Sequence, residues 1–172
     1  DEFGGAVENR MRLPLMVVEA VIDVWGKENV GVRISPTGSF NAMYDDDPVE
    51  TFGAFASRLN DLGIAYLEVV EDSFQGHHAN GRPEEVIGVS TAVFKGTYIA
   101  NGAYTAEEAR KRISAGRCDL VTFGRPFIAN PDLPARFREH AELNKWDDST
   151  FYGGDERGYT DYPTLKELEV SA

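Results

Sequence analysis

The sequence is poor in cysteine, histidine and positive charge, and each shortage argues against a class of structure or function. Its 172 residues include one cysteine, Cys118, so no intramolecular disulfide can form. Only 17 basic residues stand against 29 acidic ones, which gives a formal net charge of -12. That charge disfavours nucleic acid and anionic membranes as partners. Because no apolar run approaches the roughly 20 residues that span a bilayer, we expect a soluble, cytoplasmic protein.

Residues that can ligate metals are present, but they lack the spacing of a metal site. His77 and His78 are adjacent in a glycine-rich loop, with no cysteine or third histidine at ligand spacing, and Cys118 is expected inside a strand. The acidic run 45–47 lacks the alternating ligands and the terminal glutamate of a calcium loop. A solvated loop that leads into a helix is the simpler interpretation. The sequence therefore predicts no metal, and it contains no Ser-His-Asp motif, Walker loop or GxGxxG motif.

Helical and strand patterns alternate along the chain. Gly63 is placed to end one helix, and Thr105 with Glu108 has the form of a capping box that opens another. The alternation repeats four times, at a period of roughly 25 to 35 residues, and predicts an α/β fold with a parallel sheet. The predicted strands are 30–35, 65–70, 97–100 and 119–123. In the first helix, 8–25, the apolar face that we expect to be buried comprises Leu13, Val17, Val21, Val24 and Trp25.

A closed (β/α)8 barrel has eight such units and takes about 250 residues. The four units predicted here are half of that number. The chain therefore forms either a small open sheet or half a barrel. It begins with Asp1, without methionine, in a loop-like segment 1–7, which leads us to expect a fragment, a processed product or a split protein. A helix is predicted over 133–143, and a helical turn over 164–168. The tail 147–172 is rich in Gly, Tyr and Asp over its first half, and that part must be held by packing.

One candidate functional residue lies in the first strand. Ligands of parallel α/β sheets and barrels bind where the strands end. Arg33 interrupts an otherwise apolar strand, and a buried guanidinium needs an anionic or acceptor partner. That partner is either a bound ligand or the structural carboxylate of Glu68 in the next strand, and the sequence does not decide between them.

Two further candidates are glycine loops that follow the third and fourth strands. Asn101 and Gly102 precede a capped helix, where exposed backbone N–H groups can meet an anion. Gly124 and Arg125 repeat the arrangement and add a fixed cation. Together the two loops match the phosphate site built after strands 7 and 8 of TIM barrels.

Several separated strings of the sequence resemble one family. The chain is similar to Old Yellow Enzyme ene-reductases, above all to the pentaerythritol tetranitrate, N-ethylmaleimide and 12-oxophytodienoate reductase groups, over essentially its whole length. Asn101 departs from the small residue that those enzymes have before this glycine. The matching strings are DEFGG at 1–5, ENR at 8–10, GVRISP at 31–36, GAYT at 102–105, FGRPFIANPDL at 123–133, FYGG at 151–154 and GYTDYP at 158–163.

The resemblance implies that residues 1–172 are the carboxyl-terminal half of one FMN-binding TIM barrel, supplying roughly strands 5 to 8 and a tail, 147–172, packed near the active site. It implies FMN as cofactor and NADPH or NADH as reductant, with hydride passed to the β-carbon of an activated alkene. The amino-terminal half would be a second chain and the partner required for activity. The catalytic histidine pair and the proton donor would lie there, so this chain would contain no catalytic residue.

The resemblance also assigns roles to residues of this chain. Arg33 would lie near the N1/C2 carbonyl region of the flavin ring, where a cation stabilises negative charge. Tyr152 and Asn41 would border the substrate pocket. Four residues would grip the FMN phosphate: Asn101, Gly102, Gly124 and Arg125.

Two other hypotheses compete with the split ene-reductase. One is a non-catalytic homodimer of half barrels that binds a phosphate-containing ligand. The other is a different phosphate-binding TIM-barrel enzyme, such as an aldolase or isomerase, which usually needs a lysine or acidic base at a strand end. Glu68 lies within a strand and Lys95 precedes one, so that hypothesis has weaker support in the sequence.

Overall fold

The computed structural model describes residues 1–38, 43–71 and 83–170, so Asn41, His77 and His78 lie outside the described residues. Short 3-10 helices occupy Lys27–Asn29 and Asp148–Thr150. The α-helices are α1 (Val7–Trp25), α2 (Pro48–Leu62), α3 (Pro83–Val93), α4 (Ala106–Ser114), α5 (Arg125–Ala129), α6 (Leu133–Glu139) and α7 (Leu165–Val170). The strands are β1 (Gly31–Ile34), β2 (Tyr66–Val70), β3 (Thr97–Asn101) and β4 (Leu120–Thr122).

The four strands form one parallel sheet in chain order, β1-β2-β3-β4, which confirms the predicted α/β fold. The register places Arg33 opposite Glu68, and it places Asn101 opposite both Val70 and Thr122. Parallel neighbours need a long crossover connection, and helices α2, α3 and α4 occupy the three crossovers. The fourth strand is shorter than predicted. Cys118 lies two residues before it, not inside it, and is buried.

One face of the sheet packs against helices and forms the main apolar core. Side chains alternate along each strand, so Leu67 and Val69 of β2 point to the same face as Ile34 of β1 and Ala100 of β3. Leu67, Val69 and Ala100 are fully buried. From the helices, the same cluster receives Met11, Val18, Phe55, Ala56 and Leu59. Phe55, Ala56 and Leu59 thus form the buried face of α2.

Helix α1 is apolar on two sides, and the prediction of its buried face was wrong. Met11 and Val18 are buried in the core, with Leu15 and Ile22 packed partly against it. The residues expected to be buried form instead an exposed apolar stripe, which consists of Leu13, Val17, Val21, Val24 and Trp25. Helical spacing identifies both sets, because each repeats every three to four residues, but it cannot show which set meets the sheet.

Local signals in the sequence determine where several helices begin and end. Asp47 caps α2 by accepting a hydrogen bond from the Glu50 N–H, at 3.1 Å, and Gly63 ends that helix with a left-handed φ of 69°. The acidic run is thus a loop that leads into a helix, as predicted. Thr105 and Glu108 form the predicted capping box at the start of α4.

The chain divides into two compact units, Asp1–Thr122 (unit 1) and the residues from Phe123 onward (unit 2). In unit 2, no helix was predicted over 125–129, although Pro126 near the start of α5 is typical of a first helical turn. Helix α6 ends at Glu139, earlier than predicted, because His140 takes a left-handed φ of 54°. Within the described ranges, no helix is long and apolar enough to cross a membrane.

Unit 2 is held together by buried polar side chains. Arg136, which is 1% exposed, donates to Asp132 Oδ1 at 2.7 Å, to the Glu142 carbonyl at 2.7 Å and to the Pro163 carbonyl at 2.8 Å. Asn144 Nδ2 donates to the same Pro163 carbonyl, also at 2.8 Å. The segment around Pro163 is thereby tied to α6, over a sequence separation of 27 residues.

Candidate functional site

The second face of the sheet carries a row of polar side chains. The alternation that sends Leu67 into the core sends Glu68 to the opposite face, and the register brings Arg33 beside it. Asn101 and Thr122 share that face on β3 and β4. We call it the open face, since Tyr66 and Leu120 on it are 39% and 51% exposed.

Hydrogen bonds join these side chains across all four strands. Asn101 Nδ2 donates to Thr122 Oγ1 at 2.9 Å, and Thr122 Oγ1 donates to Glu68 Oε1 at 2.7 Å. Arg33 Nη2 donates to Asn101 Oδ1 at 3.1 Å. Because each of the four groups bonds to a side chain on another strand, the row is a preorganised polar surface at the carboxyl ends of the strands.

Both explanations offered for Arg33 find support in this geometry. Its Nε lies 3.8 Å from Glu68 Oε1, which is an ion pair, although a long one. The side chain of Arg33 is nevertheless 56% exposed, whereas that of Glu68 is 16% exposed. A guanidinium has five N–H donors, so Arg33 keeps donor capacity directed away from the sheet.

The start of α4 is a poorer anion site than the sequence suggested. The Thr105 N–H donates to Glu108 Oε2 at 2.8 Å, and the Glu108 N–H donates to Thr105 Oγ1 at 3.2 Å. The capping box thus uses two of the orphan donors of the helix. Glu107 and Glu108 also place negative charge in the first turn. An anion near this helix would be held by the loop before it, at Gly102, instead of by the helix end.

The second predicted phosphate loop lies in unit 2. Arg125 opens α5, and its guanidinium carbon lies 5.8 Å from the centre of the Trp146 ring, a cation–π contact that orients the side chain. Gly124 has an ordinary negative φ of -91°, so its backbone does not require glycine. A Cβ built at Gly124 would meet nothing within 4 Å, so the loop leaves open space beside Arg125.

Of the two predicted substrate-binding residues, the structure describes only Tyr152. Its side chain is 88% exposed, and its ring meets that of Phe151 edge-on, with centroids 6.4 Å apart. An exposed aromatic ring of this kind is available to a ligand, but no contact within unit 2 defines a pocket around it. Its assignment to a substrate pocket, like that of Asn41, remains a prediction.

A buried cluster around Glu71, one residue beyond β2, was not predicted from the sequence. The Glu71 carboxylate accepts hydrogen bonds from the hydroxyls of Tyr98 and Tyr104 and two from Arg112, at 2.6 and 2.8 Å. Burial, together with the bond to Glu71, raises the pKa of Tyr104 well above its ordinary value. Burial likewise raises the pKa of the Cys118 thiol. An acidic residue at a strand end was a visible signal, but its partners depend on tertiary contacts.

A parallel sheet with helices on one face and polar groups at the strand ends is the architecture of a (β/α) barrel enzyme, in part. Residues 1–144 match the model of the NADH:flavin oxidoreductase / NADH oxidase family. The chain therefore belongs to that family, and the resemblance to the Old Yellow Enzymes is confirmed. The hypothesis of an aldolase or isomerase is not supported.

Individual relatives agree with this assignment. The chain is 41% identical to 12-oxophytodienoate reductase 1 of Oryza sativa subsp. japonica over 171 residues, which cover 98% of the chain and 45% of the relative. Morphinone reductase superposes with a TM-score of 0.88 at 46% identity, covering 98% of this chain and 45% of that one. The Old Yellow Enzyme homologue of Zymomonas mobilis superposes with a TM-score of 0.87 at 42% identity, covering 96% and 46%.

The matches also show how much of the fold is present. The chain spans about 45% of the length of the relatives it matches, so its four strands are part of a TIM barrel, as predicted. The family description names NADH and a flavin, and a morphinone reductase structure contains tetrahydroNAD. Both agree with the predicted cofactors. Within unit 1, the exposed guanidinium of Arg33 on the open face is a donor whose chemistry fits the electron-rich edge of a flavin ring.

Proposed function

We propose that this chain is the flavin-holding part of an FMN-dependent ene-reductase that uses NADPH or NADH to reduce an activated alkene. The observation that carries the proposal is the polar row on the open face, in a chain of this family. Arg33 supplies a positive charge there, and Asn101 and Glu68 fix its position. FMN, when bound, supplies hydride transfer from the nicotinamide to the alkene.

Each predicted site residue has a defined task in this proposal. Arg33 donates to electron-rich atoms of the ring, where a fixed cation favours negative charge. Gly102, Gly124 and Arg125 hold the phosphate, with the guanidinium of Arg125 able to donate to two oxygens at once. Asn101 orients Arg33 through its side chain and is the first residue of the phosphate loop that contains Gly102. Tyr152 in the tail 147–172, together with Asn41, borders the substrate.

Activity requires the remainder of the barrel in this proposal, supplied as an amino-terminal half. Two surfaces support that requirement. The apolar stripe of α1 is exposed, with Val24 at 76% and Trp25 at 68%, and the open face carries the exposed side chains of Tyr66 and Leu120. Apolar surface of this extent marks an interface. The histidine pair that binds substrate and the proton donor would come from the added half.

The experiment is native mass spectrometry with a parallel visible spectrum. The chain is expressed alone, and also together with the part of morphinone reductase that it does not cover. We expect the 19.0 kDa chain to travel in the second sample with one copy of the added polypeptide and one FMN, and to absorb in the blue. A chain that stays colourless and unassociated in both samples contradicts the proposal. A colourless homodimer supports the non-catalytic alternative, which the exposed stripe of α1 also permits.

A matched pair of substitutions tests the role of Arg33. Arg33→Met removes the cation of the open face, and we expect FMN affinity to fall about tenfold or more. Arg58→Met is the control, because the Arg58 side chain is similarly exposed, at 52%, but lies on α2 and pairs with Asp61. Equal FMN affinities in the two variants would exclude the proposed contact.

A further inference from the structure

We propose that Glu71 is a positioning residue that fixes the loop 101–104, the first of the two phosphate loops. This inference rests on the proposed function and extends it to a residue that does not touch the flavin. Glu71 lies directly after β2, and its side chain is 8% exposed.

Glu71 holds both ends of the loop. Its backbone N–H donates to the Asn101 carbonyl at 2.8 Å, and its carboxylate accepts the Tyr104 hydroxyl. Both contacts come from the one residue that directly follows the neighbouring strand β2, so the positions of residues 101 and 104 are set relative to the end of that strand. Between them lies Gly102, the residue whose backbone is proposed to meet the phosphate.

The side chain of Tyr104 also restricts the space for a side chain at position 102. A Cβ built at Gly102 would lie 3.1 Å from the Tyr104 ring, closer than ordinary packing allows. The ring therefore lies against the glycine backbone and covers one side of it. A larger residue at position 102 would therefore press on the ring whose hydroxyl Glu71 holds.

Arg112 completes the cluster and neutralises the negative charge of Glu71, which would otherwise oppose phosphate binding nearby. A buried carboxylate next to a phosphate loop would repel the phosphate if it were unpaired. Arg112 Nη2 lies 2.6 Å from Glu71 Oε2, and the guanidinium carbon lies 5.0 Å from the centre of the Tyr104 ring. The cation neutralises Glu71 and holds the ring from the α4 side, so the loop is rigid without adding net charge.

The experiment compares the affinities of FMN and riboflavin, which differ by the phosphate alone. Both are measured by quenching of flavin fluorescence in the assembly of the chain with its complementing half. The test variants are Tyr104→Phe, which keeps the ring, and Glu71→Gln. Tyr98→Phe is the matched control, because it removes a second hydroxyl from the same carboxylate, but from a strand and not from the loop.

We expect Tyr104→Phe and Glu71→Gln to weaken FMN about tenfold and to leave riboflavin unchanged. Tyr98→Phe should leave the ratio of the two affinities at the wild-type value. Unchanged ratios in both test variants would overturn the inference while leaving the proposed function standing, and so would an equal loss for both flavins. A wild-type assembly that binds FMN no better than riboflavin would overturn the phosphate site itself, and the inference with it.

Discussion

Units 1 and 2 are stabilised by different means. In unit 1 the largest buried side chains are apolar, Leu59 and Leu67 among them, and they fill the space between helices and one face of the sheet. In unit 2 the buried set includes Arg136 and Asn130 beside Leu133. Helices α5 and α6 have five and seven residues, too few to bury a wide apolar face. Short elements joined by long irregular segments are instead fixed by side chains that satisfy backbone carbonyls.

The largest expected effect comes from removing the polar centre of unit 2. Arg136→Met keeps the length of the side chain but removes the donor to Asp132 Oδ1 and to the Glu142 carbonyl, and one of the two donors to the Pro163 carbonyl. We expect a loss of about 4 kcal/mol, as for a buried ion pair deprived of one partner. Hydrogen exchange at the Leu165 amide, which donates to Asp132 Oδ2 at 2.7 Å, reports the loss locally. Arg138→Met, on the exposed side of α6, is the control, and equal exchange rates in the two variants would contradict the comparison.

A second substitution probes the apolar core of unit 1. Leu67→Ala opens a cavity on the helix-covered face of β2, and we expect the free energy of unfolding in urea to fall by about 3 kcal/mol. Leu120→Ala removes the same atoms from the open face, where the side chain is 51% exposed, and should cost less than about 1 kcal/mol in this chain alone. Similar costs for the two would mean that both faces of the sheet are packed.

The smallest expected effect is a local loss of stability around Asp132 at acidic pH. Burial of the Asp132 carboxyl acts to raise its pKa, but hydrogen bonds from the Leu165 N–H and from Arg136 outweigh it and hold the pKa below its ordinary value. A lowered folded-state pKa adds stability above the unfolded value, about 3.9, that is lost as the pH falls through the folded value. The protection of the Leu165 amide, measured against its intrinsic exchange rate at each pH, should therefore fall below about pH 4. Asp132→Asn should remove this acid dependence, and the control Asp61→Asn should preserve it. If the acid dependence persists in Asp132→Asn, it belongs to another titratable group.

The sequence predicted the elements of unit 1 better than those of unit 2. Strand alternation and the capping signals at Gly63 and Thr105 are local, so they are visible without the fold. Only part of the open face could be predicted from the sequence. Arg33 stood out as a charge in an apolar strand, whereas the contribution of Thr122 depends on the register of β3 against β4, which no local pattern states.

The Glu71 cluster and the buried face of α1 could not be predicted from the sequence either, because both depend on tertiary contacts. Glu71 and Arg112 are 41 residues apart in the chain and meet through tertiary packing. Helix α1 has two apolar sides, and only contact with the sheet selects one of them. Arg136 was hidden in a stretch that looked like an ordinary surface helix, because Arg138, two residues further along the same helix, is also an arginine and remains exposed.

The exposed stripe of α1 has a consequence for how much of the protein a cell can maintain. A surface that shows Val24 and Trp25 to water is what chaperones and proteases recognise in unassembled polypeptides. If, as proposed, a separate amino-terminal half covers that surface, copies of this chain in excess of that half are expected to aggregate or be degraded. Abundance would then follow the scarcer of the two, and stoichiometry would be enforced by turnover instead of by matched synthesis.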